Sequence, residues 1–416
     1  MLTRPGEHRR ADPGITVEAH VERILAGVAA LAPVTVPIGE AVGLVCAADV
    51  PAVVRLPRFD HAAMDGYAVR AADVASATAT DPVVLPVAGV VAAGDAPQPT
   101  LAPGTAWRIM TGAPVPAGAD AVVPFEWTDR GHEQVRVDGS VPVAQHIRMA
   151  GEDVVGGAVT VSAGTPLAPR HLALLAAVGT ASVAVHPAPK VAVIVTGQEL
   201  AVPEADLDDL PNQVPDSNSV ALAAAARAAG ARVGSFGPVP DDPQLLLDQL
   251  ALAAEVADLI VTTGGVSAGD HDVVKAALRD HEGFWFGSVA VKPGRPQGVG
   301  AVTAAGGRRV PVISLPGTPV AAYASFRLFA EPAIRALGGR SGAAPAHAVL
   351  EAPVGVAVDR TLVLPATYVA PGRVAQLAGH VGHSQRLLAA ADVLLVVPPG
   401  DGPLPAGAEV VILPLD

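Results

Sequence analysis

The sequence predicts an α/β multidomain protein: a doubly wound parallel-sheet domain with a helical linking lobe, a β-rich inserted lobe and a C-terminal β-barrel. Three observations carry that prediction. Across 188–339, wholly apolar runs such as VAVIVTG and DLIVTTGG alternate with helical stretches, as in a parallel sheet covered on both faces. Residues 51–155 show short alternating segments, AVVPFEWT and EQVRVDG, among Pro and Gly, the pattern of strands joined by tight turns. The stretch 345–416 repeats that texture in VLLVVPPGDG and AEVVILPL, which fits a compact barrel.

Residues 1–14 read as a flexible tail; they carry basic residues without an apolar stretch, so no signal peptide is expected. Over 16–31, Val17, Val21, Ile24, Leu25 and Val28 recur at helical spacing behind Thr16 as N-cap. This helix opens the linking lobe, assigned to 15–50 and 156–187. The lobe's second half holds a helix and a strand within 166–186, with Gly179 just past the helix end. The two helical pieces are expected to pack together, which makes 51–155 an insertion. In the α/β domain, strands are expected at 191–197, 231–239, 258–265 and 310–317. Helices are expected at 218–229, 241–256, 272–279 and 320–337, and 340–347 reads as a linker of small residues.

Composition narrows the function classes. A chain of 416 residues suggests two to four domains. Half the residues are hydrophobic but only 3% are aromatic, and the net charge is −13. A nucleic-acid binder needs a basic face and stacking rings, so that class is not expected. A small anion stays open if a few cations and backbone N–H groups gather locally. The one cysteine, Cys46, reads as a small buried hydrophobe, and a single cysteine excludes an internal disulfide and a zinc–thiolate cluster. The longest apolar run, near 172–185, is shorter than the ~20 residues of a membrane span; a soluble cytoplasmic enzyme is expected.

Ligands of open parallel sheets bind outside the carboxyl ends of the strands. Here those ends carry TGQEL, TTGGVSAGDHD and LPGTP. In the middle segment, Gly264 and Gly265 let the backbone turn sharply against a ligand. Thr263 and Ser267 add hydroxyls, and a helix starting near Asp270 turns free N–H groups toward the loop. An ordinary strand-to-helix turn is the alternative. No P-loop or dinucleotide fingerprint is present. Glu199, Asp216, Asp241, Asp242, Asp270 and Asp272 collect at the same edge. Asp241 and Asp270 suit helix caps, whereas several carboxylates on one rim call for a hard cation such as Mg²⁺. In VKPGRP, Lys292 and Arg295 flank a Pro–Gly turn, as an oxyanion clamp or as plain surface charge. In the β lobe, Asp65 lies in a Met-Asp-Gly turn and Thr111 precedes a glycine, so Asp65 reads as a turn residue or a catalytic carboxylate.

Taken in order, FDHAAMDGYAVR, RIMTGAPVPAGADAVVP, AGEDV, VTGQEL, PDSNS, DDP, TTGGVSAGDHD, VKPGRP and LPGTPV resemble the molybdopterin molybdenumtransferase family, the MoeA and gephyrin E-domain proteins. The resemblance runs from about residue 15 to 416. It implies a MoaB/Mog-like α/β domain, an elongated homodimer, and Mg²⁺-dependent transfer of molybdate to adenylylated molybdopterin with release of AMP. It further implies roles for Asp65, Thr111 and Asp153 in the lobe that faces the partner subunit. Glu199, Asp241 or Asp242, and Asp272 match acidic positions around nucleotide and metal, with Asp270 beside them. Thr263, Gly264, Gly265, Ser267, Gly269, Asp216 and Ser217 match the substrate-gripping segments. Lys292, Arg295 and Pro296 match the oxyanion site, with Ser384 matching a serine of the last domain. The chain departs from the family at Gln198, Ser288, Thr318 and Ala321. A molybdopterin adenylyltransferase and molybdoenzymes are the implied partners. Two other functions stay open: a divergent binding or scaffold paralogue, and a different enzyme built on a related α/β domain.

Overall fold

The structure is a computed structural model that describes residues 14–96, 100–202, 205, 212–267, 272–340, 342, 345–379 and 383–415. These fall into two units. The first contains the described residues up to Val34, Gly43–Ala47 and those from Ala184 onward; the second contains Thr35–Val42 and Ala48–Val183. The expected tail lies outside the described residues except for Gly14.

The first unit is built on a six-stranded sheet. Its strands lie in the order Arg232–Val239, Lys190–Thr196, Leu259–Thr263, Arg309–Leu315, Pro296–Thr303, Trp285–Ser288. The first four are the expected strands and run parallel. The last two pair antiparallel, so the sheet is mixed rather than wholly parallel. Those two escape a reading by apolar runs because glycine interrupts them. The Phe286 and Phe284 rings occupy the space over Gly298 and Gly300, where side chains would otherwise stand. On the parallel strands, successive residues serve opposite cores. Val191, Val193, Val195, Val261 and Ile313 face one helical layer, and Ala192, Ile194, Ile260 and Val312 face the other. That two-sided burial is why the inner strands read as nearly continuous apolar runs.

Helices cover both faces: Asn218–Ala228, Pro243–Val256, Val273–Leu278 and a last helix opening at Pro319–Ser325. The second is capped by Asp242, whose carboxylate accepts from Gln244 N at 2.8 Å and Leu245 N at 3.2 Å. Asp241, the cap expected from the sequence, is therefore displaced by one residue. Pro243 at the first helical position explains the shift, since its fixed φ starts the helix there. The expected helix 320–337 is interrupted by a π turn, Phe326–Ala330, before resuming at Glu331–Leu337. Pro332 has no N–H for the carbonyl four residues back, and its ring crowds that oxygen, so the helix widens ahead of it. Glu331 then ties the two halves, pairing with Arg327 at 2.6 Å and Arg335 at 2.7 Å.

The first helix is Val17–Leu25, shorter than 16–31, and Thr16 caps it by accepting from Ala19 N at 3.1 Å. It packs on the π turn, with His20 between the rings of Phe329 and Trp285. Pro169–Ala177, the other helix assigned to the linking lobe, belongs to the second unit and packs on strand Val159–Val161 and the turn Ile38–Glu40. Each of the two helices expected to pack together thus has these partners within its own unit. Cys46 is fully buried.

The C-terminal part of the first unit is a closed five-stranded barrel. Thr361–Ala370, Arg373–Gln376, Ala346–Leu350, Glu409–Pro414 and Val393–Val397 pair in sequence around it, and the first and last close the ring. The short strand Val291–Lys292 adds to its edge, pairing Val291 with Thr361 and Lys292 with Leu362. The second unit carries a mixed five-stranded sheet in the order Ala121–Pro124, Gly66–Val69, Ala106–Ile109, Val83–Val91, Gln134–Val137. Among the described residues, no helix is long and apolar enough to cross a membrane.

Candidate functional site

A cavity of about 820 Å³ opens at the carboxyl ends of the parallel strands. Its floor is backbone. At Gly264 φ is +95°, and an added Cβ would stand 2.6 Å from the Thr196 carbonyl oxygen, so no other residue fits without displacing the neighbouring strand end. Gly317 crosses the same spot, its Cβ position 3.2 Å from the Gly264 α-carbon. Gly264 and Gly317 thus let two of the strand-end loops approach backbone to backbone. Gly265 O accepts from Lys275 N at 3.1 Å, which docks helix Val273–Leu278 directly onto the loop.

Side chains knit the floor from below. Thr263 is fully buried; its hydroxyl donates to Pro316 O at 2.7 Å and accepts from Asn218 Nδ2 at 3.2 Å. Asn218 Nδ2 also donates to Gly317 O at 2.7 Å. Thr263 thus shapes the floor without lining the cavity. Asn218, which does line it, escaped the sequence reading although it stands inside PDSNS.

The walls are acidic. Glu199, Asp216, Asp241 and Asp272 all line the cavity, together with Ser217, Gly264 and Gly265. The Glu199 carboxylate folds back toward Gly197, standing where a side chain at 197 would be. Asp216 is 3% exposed and accepts from Ser219 N at 3.0 Å, so it holds the start of helix Asn218–Ala228. Asp241 leaves the capping to Asp242 and is turned to the cavity instead. Asp272 occupies an N-cap position, yet its side chain makes no capping bond there. Asp242 is not among the lining residues, and Ser267 is exposed at the edge of the loop. Gly269 and Asp270 lie outside the described residues, so the expected ligand set of Glu199, Asp270 and Asp272 is described only in part. Among the described residues, no group of three or more His, Cys, Asp or Glu is drawn together closely enough to enclose a metal by itself.

The Lys292–Arg295 turn is a separate feature. Gly294 has φ +99°, and a Cβ there would meet Ser325 Oγ at 2.5 Å. Gln297 Nε2 donates to both Gly294 O (2.7 Å) and Ser325 Oγ (2.8 Å), pinning the turn to the last helix at the onset of its π turn. Lys292, Arg295 and Pro296 do not line the 820 Å³ cavity. The helix Pro319–Ser325 connects the two features. Pro319 is at the cavity and Ser325 at the turn, about 9 Å apart at the usual rise per residue. Arg295 also faces the barrel, where it and Arg360 hold the Asp359 carboxyl below its ordinary value, chiefly through the Arg360 side-chain hydrogen bonds. Arg360 forks onto Asp359 with both contacts at 2.7 Å. Arg360 carries no motif of its own; the Val291–Thr361 pairing brings its segment to the turn. Ser384 caps the short barrel helix Gln385–Ala389, accepting from Leu387 N at 3.3 Å. The next residue, Gln385, lines the cavity. Of the four departures, Thr318 lines the cavity and Ala321 is buried behind it.

In the second unit, Asp65 and Thr111 form one constellation. Asp65 Oδ1 accepts from Thr111 N at 2.7 Å and Thr111 Oγ1 at 2.8 Å. The Thr111 backbone and then its hydroxyl, with help from Arg108, hold the Asp65 carboxyl below its ordinary value. Asp65 is exposed, so a fixed carboxylate faces outward from a rigid sheet end. Asp153 is exposed and tied by its backbone N–H to Leu56 O at 3.0 Å.

Known proteins resemble the chain along most of its length. Residues 15–179 match the model of the MoeA N-terminal region (domain I and II), and residues 192–336 match that of a probable molybdopterin binding domain. Molybdopterin molybdenumtransferase 2 of Mycobacterium tuberculosis is 42% identical over 410 residues, covering 95% of this chain and 98% of its own. Molybdopterin molybdenumtransferase 1 of the same organism is 40% identical over 78% of this chain and 79% of its own. The crystal structure of a molybdopterin biosynthesis moeA protein from Pyrococcus horikosii is 31% identical and superposes with a TM-score of 0.81, covering 96% of this chain and 98% of that one.

Proposed function

The chain belongs to the molybdopterin molybdenumtransferase family and is an enzyme of molybdenum cofactor biosynthesis; on that premise we propose that it transfers molybdate to adenylylated molybdopterin with Mg²⁺ and releases AMP. One observation carries the reading: a glycine floor and an acidic wall share one cavity at the strand ends. The backbone at Gly264 and Gly265 suits a phosphate, which needs a close approach with no side chain between. The carboxylates would repel that phosphate if they stood alone.

Of the ligand set Glu199, Asp270 and Asp272, the carboxylates of Glu199 and Asp272 line the cavity; such all-oxygen donors fit Mg²⁺, which takes one or two carboxylates and completes its shell with phosphate and water. When bound, the ion offsets the charge of the pyrophosphate. The chain's own groups then hold the substrate. Ser217 offers a hydroxyl at the cavity wall, and the loop of Gly264, Gly265, Ser267 and Gly269 grips the phosphate. Hydrolysis adds water across the phosphoanhydride: a new P–O bond forms, the bridging P–O bond breaks, and AMP leaves. Lys292 and Arg295, on a turn fixed by Gln297 and Ser325, hold molybdate with Pro296 and Ser384 beside them. Asp65, Thr111 and Asp153 act from the second unit in a homodimer. A molybdopterin adenylyltransferase would supply the substrate, and molybdoenzymes would take the product.

A second reading, a molybdopterin-binding or scaffold paralogue with weak transfer, draws on Gln198, Ser288, Thr318 and Ala321. One assay separates them: incubate the protein with adenylylated molybdopterin and Mg²⁺, with and without molybdate, and follow AMP. AMP release that rises with molybdate supports transfer. Binding without molybdate-dependent release favours the scaffold, and no binding removes both.

A further inference from the structure

A second cavity, of about 360 Å³, runs between the last helix of the α/β domain and the short barrel helix Gln385–Ala389. It meets the main cavity at Ser217, Asn218, Pro319 and Gln385, which line both. Beyond that junction its walls are apolar or aromatic: Leu222, Tyr323, Leu388 and Leu415. A polar mouth leading to an apolar slot that includes the Tyr323 ring, at the low end of small-ligand cleft volumes, suits a heterocyclic ring. The Gln385 amide stands at the mouth. Its only side-chain bond among those described is to Ser217 Oγ at 3.4 Å, at the long limit of a hydrogen bond. So weak a contact is readily exchanged for one to a ligand. An amide offers a donor and an acceptor side by side, and the edge of a nitrogen heterocycle presents the complementary pair, as when Gln reads adenine. Asn218, by contrast, has both donors of its amide nitrogen committed, to Thr263 and Gly317.

We propose that this side pocket seats a planar nitrogen heterocycle of the substrate and that Gln385 reads its hydrogen-bonding edge, so that the barrel sets specificity for a cavity built on the α/β domain. The inference rests on the cavity reading above. Adenylylated molybdopterin carries two such rings, an adenine and a pterin, and the experiment tells them apart. Dissociation constants are measured for adenylylated molybdopterin, AMP and 6-hydroxymethylpterin with the wild-type protein, Gln385→Ala and Leu388→Trp. The alanine variant removes the edge contact and the tryptophan variant fills the slot. We expect both to weaken adenylylated molybdopterin about tenfold at unchanged Tm. Only one of the two small probes should weaken with it, AMP if the adenine is seated and the pterin if the pterin is. Wild-type-like affinities in both variants would overturn the inference while leaving the cavity reading intact. Failure of the wild-type protein to bind adenylylated molybdopterin would overturn both.

Discussion

Thr111 donates twice to one oxygen of Asp65, from its backbone and from its hydroxyl. A carboxyl held below its ordinary value favours folding above that value, and the contribution is lost as pH falls through the depressed one. Thr111→Val removes the hydroxyl and keeps the backbone donor. The Asp65 titration, followed by carboxyl ¹³C NMR, should then move up toward the usual carboxylate range; an unmoved titration would refute the bond's role. At the main cavity, Asp272 stands in the acidic wall, so Asp272→Asn should lower Mg²⁺-dependent AMP release at least tenfold. Equal turnover would remove its metal role. A residue's place at the cavity was legible where a motif fixed it, as at Glu199, Asp272 and Gly264. It was not where a neighbour decided: Pro243 handed the cap to Asp242 and left Asp241 to the cavity. Gln385 and Arg360 could not be read at all, because each reaches the α/β domain from a distant segment.

His20 shows what an element owes to one buried group. Neither ring nitrogen has a hydrogen-bond partner, and the ring lies 4.7 Å from Phe329 and 5.2 Å from Trp285. Burial first, and then Arg23, lower its pKa from 6.5 to about 4. The unfolded chain therefore binds the proton more readily. Stability is fully present above 6.5 and declines as pH falls toward 4, by about 2 kcal/mol at about pH 5. His20→Leu should flatten that part of the stability–pH curve in urea titrations; an unchanged slope would contradict the assignment. The loop at Gly264 is sensitive in another way. Gly264→Ala sets a Cβ against a carbonyl at positive φ and should cost roughly 1–3 kcal/mol, measured as a lower urea midpoint. The three inner parallel strands could be read because both faces of each are buried, whereas Arg232–Val239 is an edge strand and largely exposed. The antiparallel pair could not, since the rings of Phe284 and Phe286 take the place of side chains at Gly300 and Gly298.

At the scale of the molecule, the barrel does more than follow the α/β domain. It pairs with the Val291–Lys292 strand and supplies Gln385 to the cavity wall. Its texture predicted a barrel, but no local pattern says which barrel segment meets a strand end. The acidic balance of −13 makes a phosphate ligand workable only where backbone donors, cations and a bound metal outweigh the carboxylates. If the 820 Å³ cavity holds the substrate, filling it at Thr318 must weaken binding. Thr318 is exposed, lines the cavity and makes no side-chain capping bond, so a large side chain there fills the space without removing a support. The decisive measurement is the affinity of adenylylated molybdopterin for Thr318→Trp beside the wild-type protein and Thr318→Asn. We expect a loss of at least tenfold in the tryptophan variant at wild-type Tm, and binding retained with asparagine. Wild-type affinity in Thr318→Trp would mean that the substrate binds elsewhere.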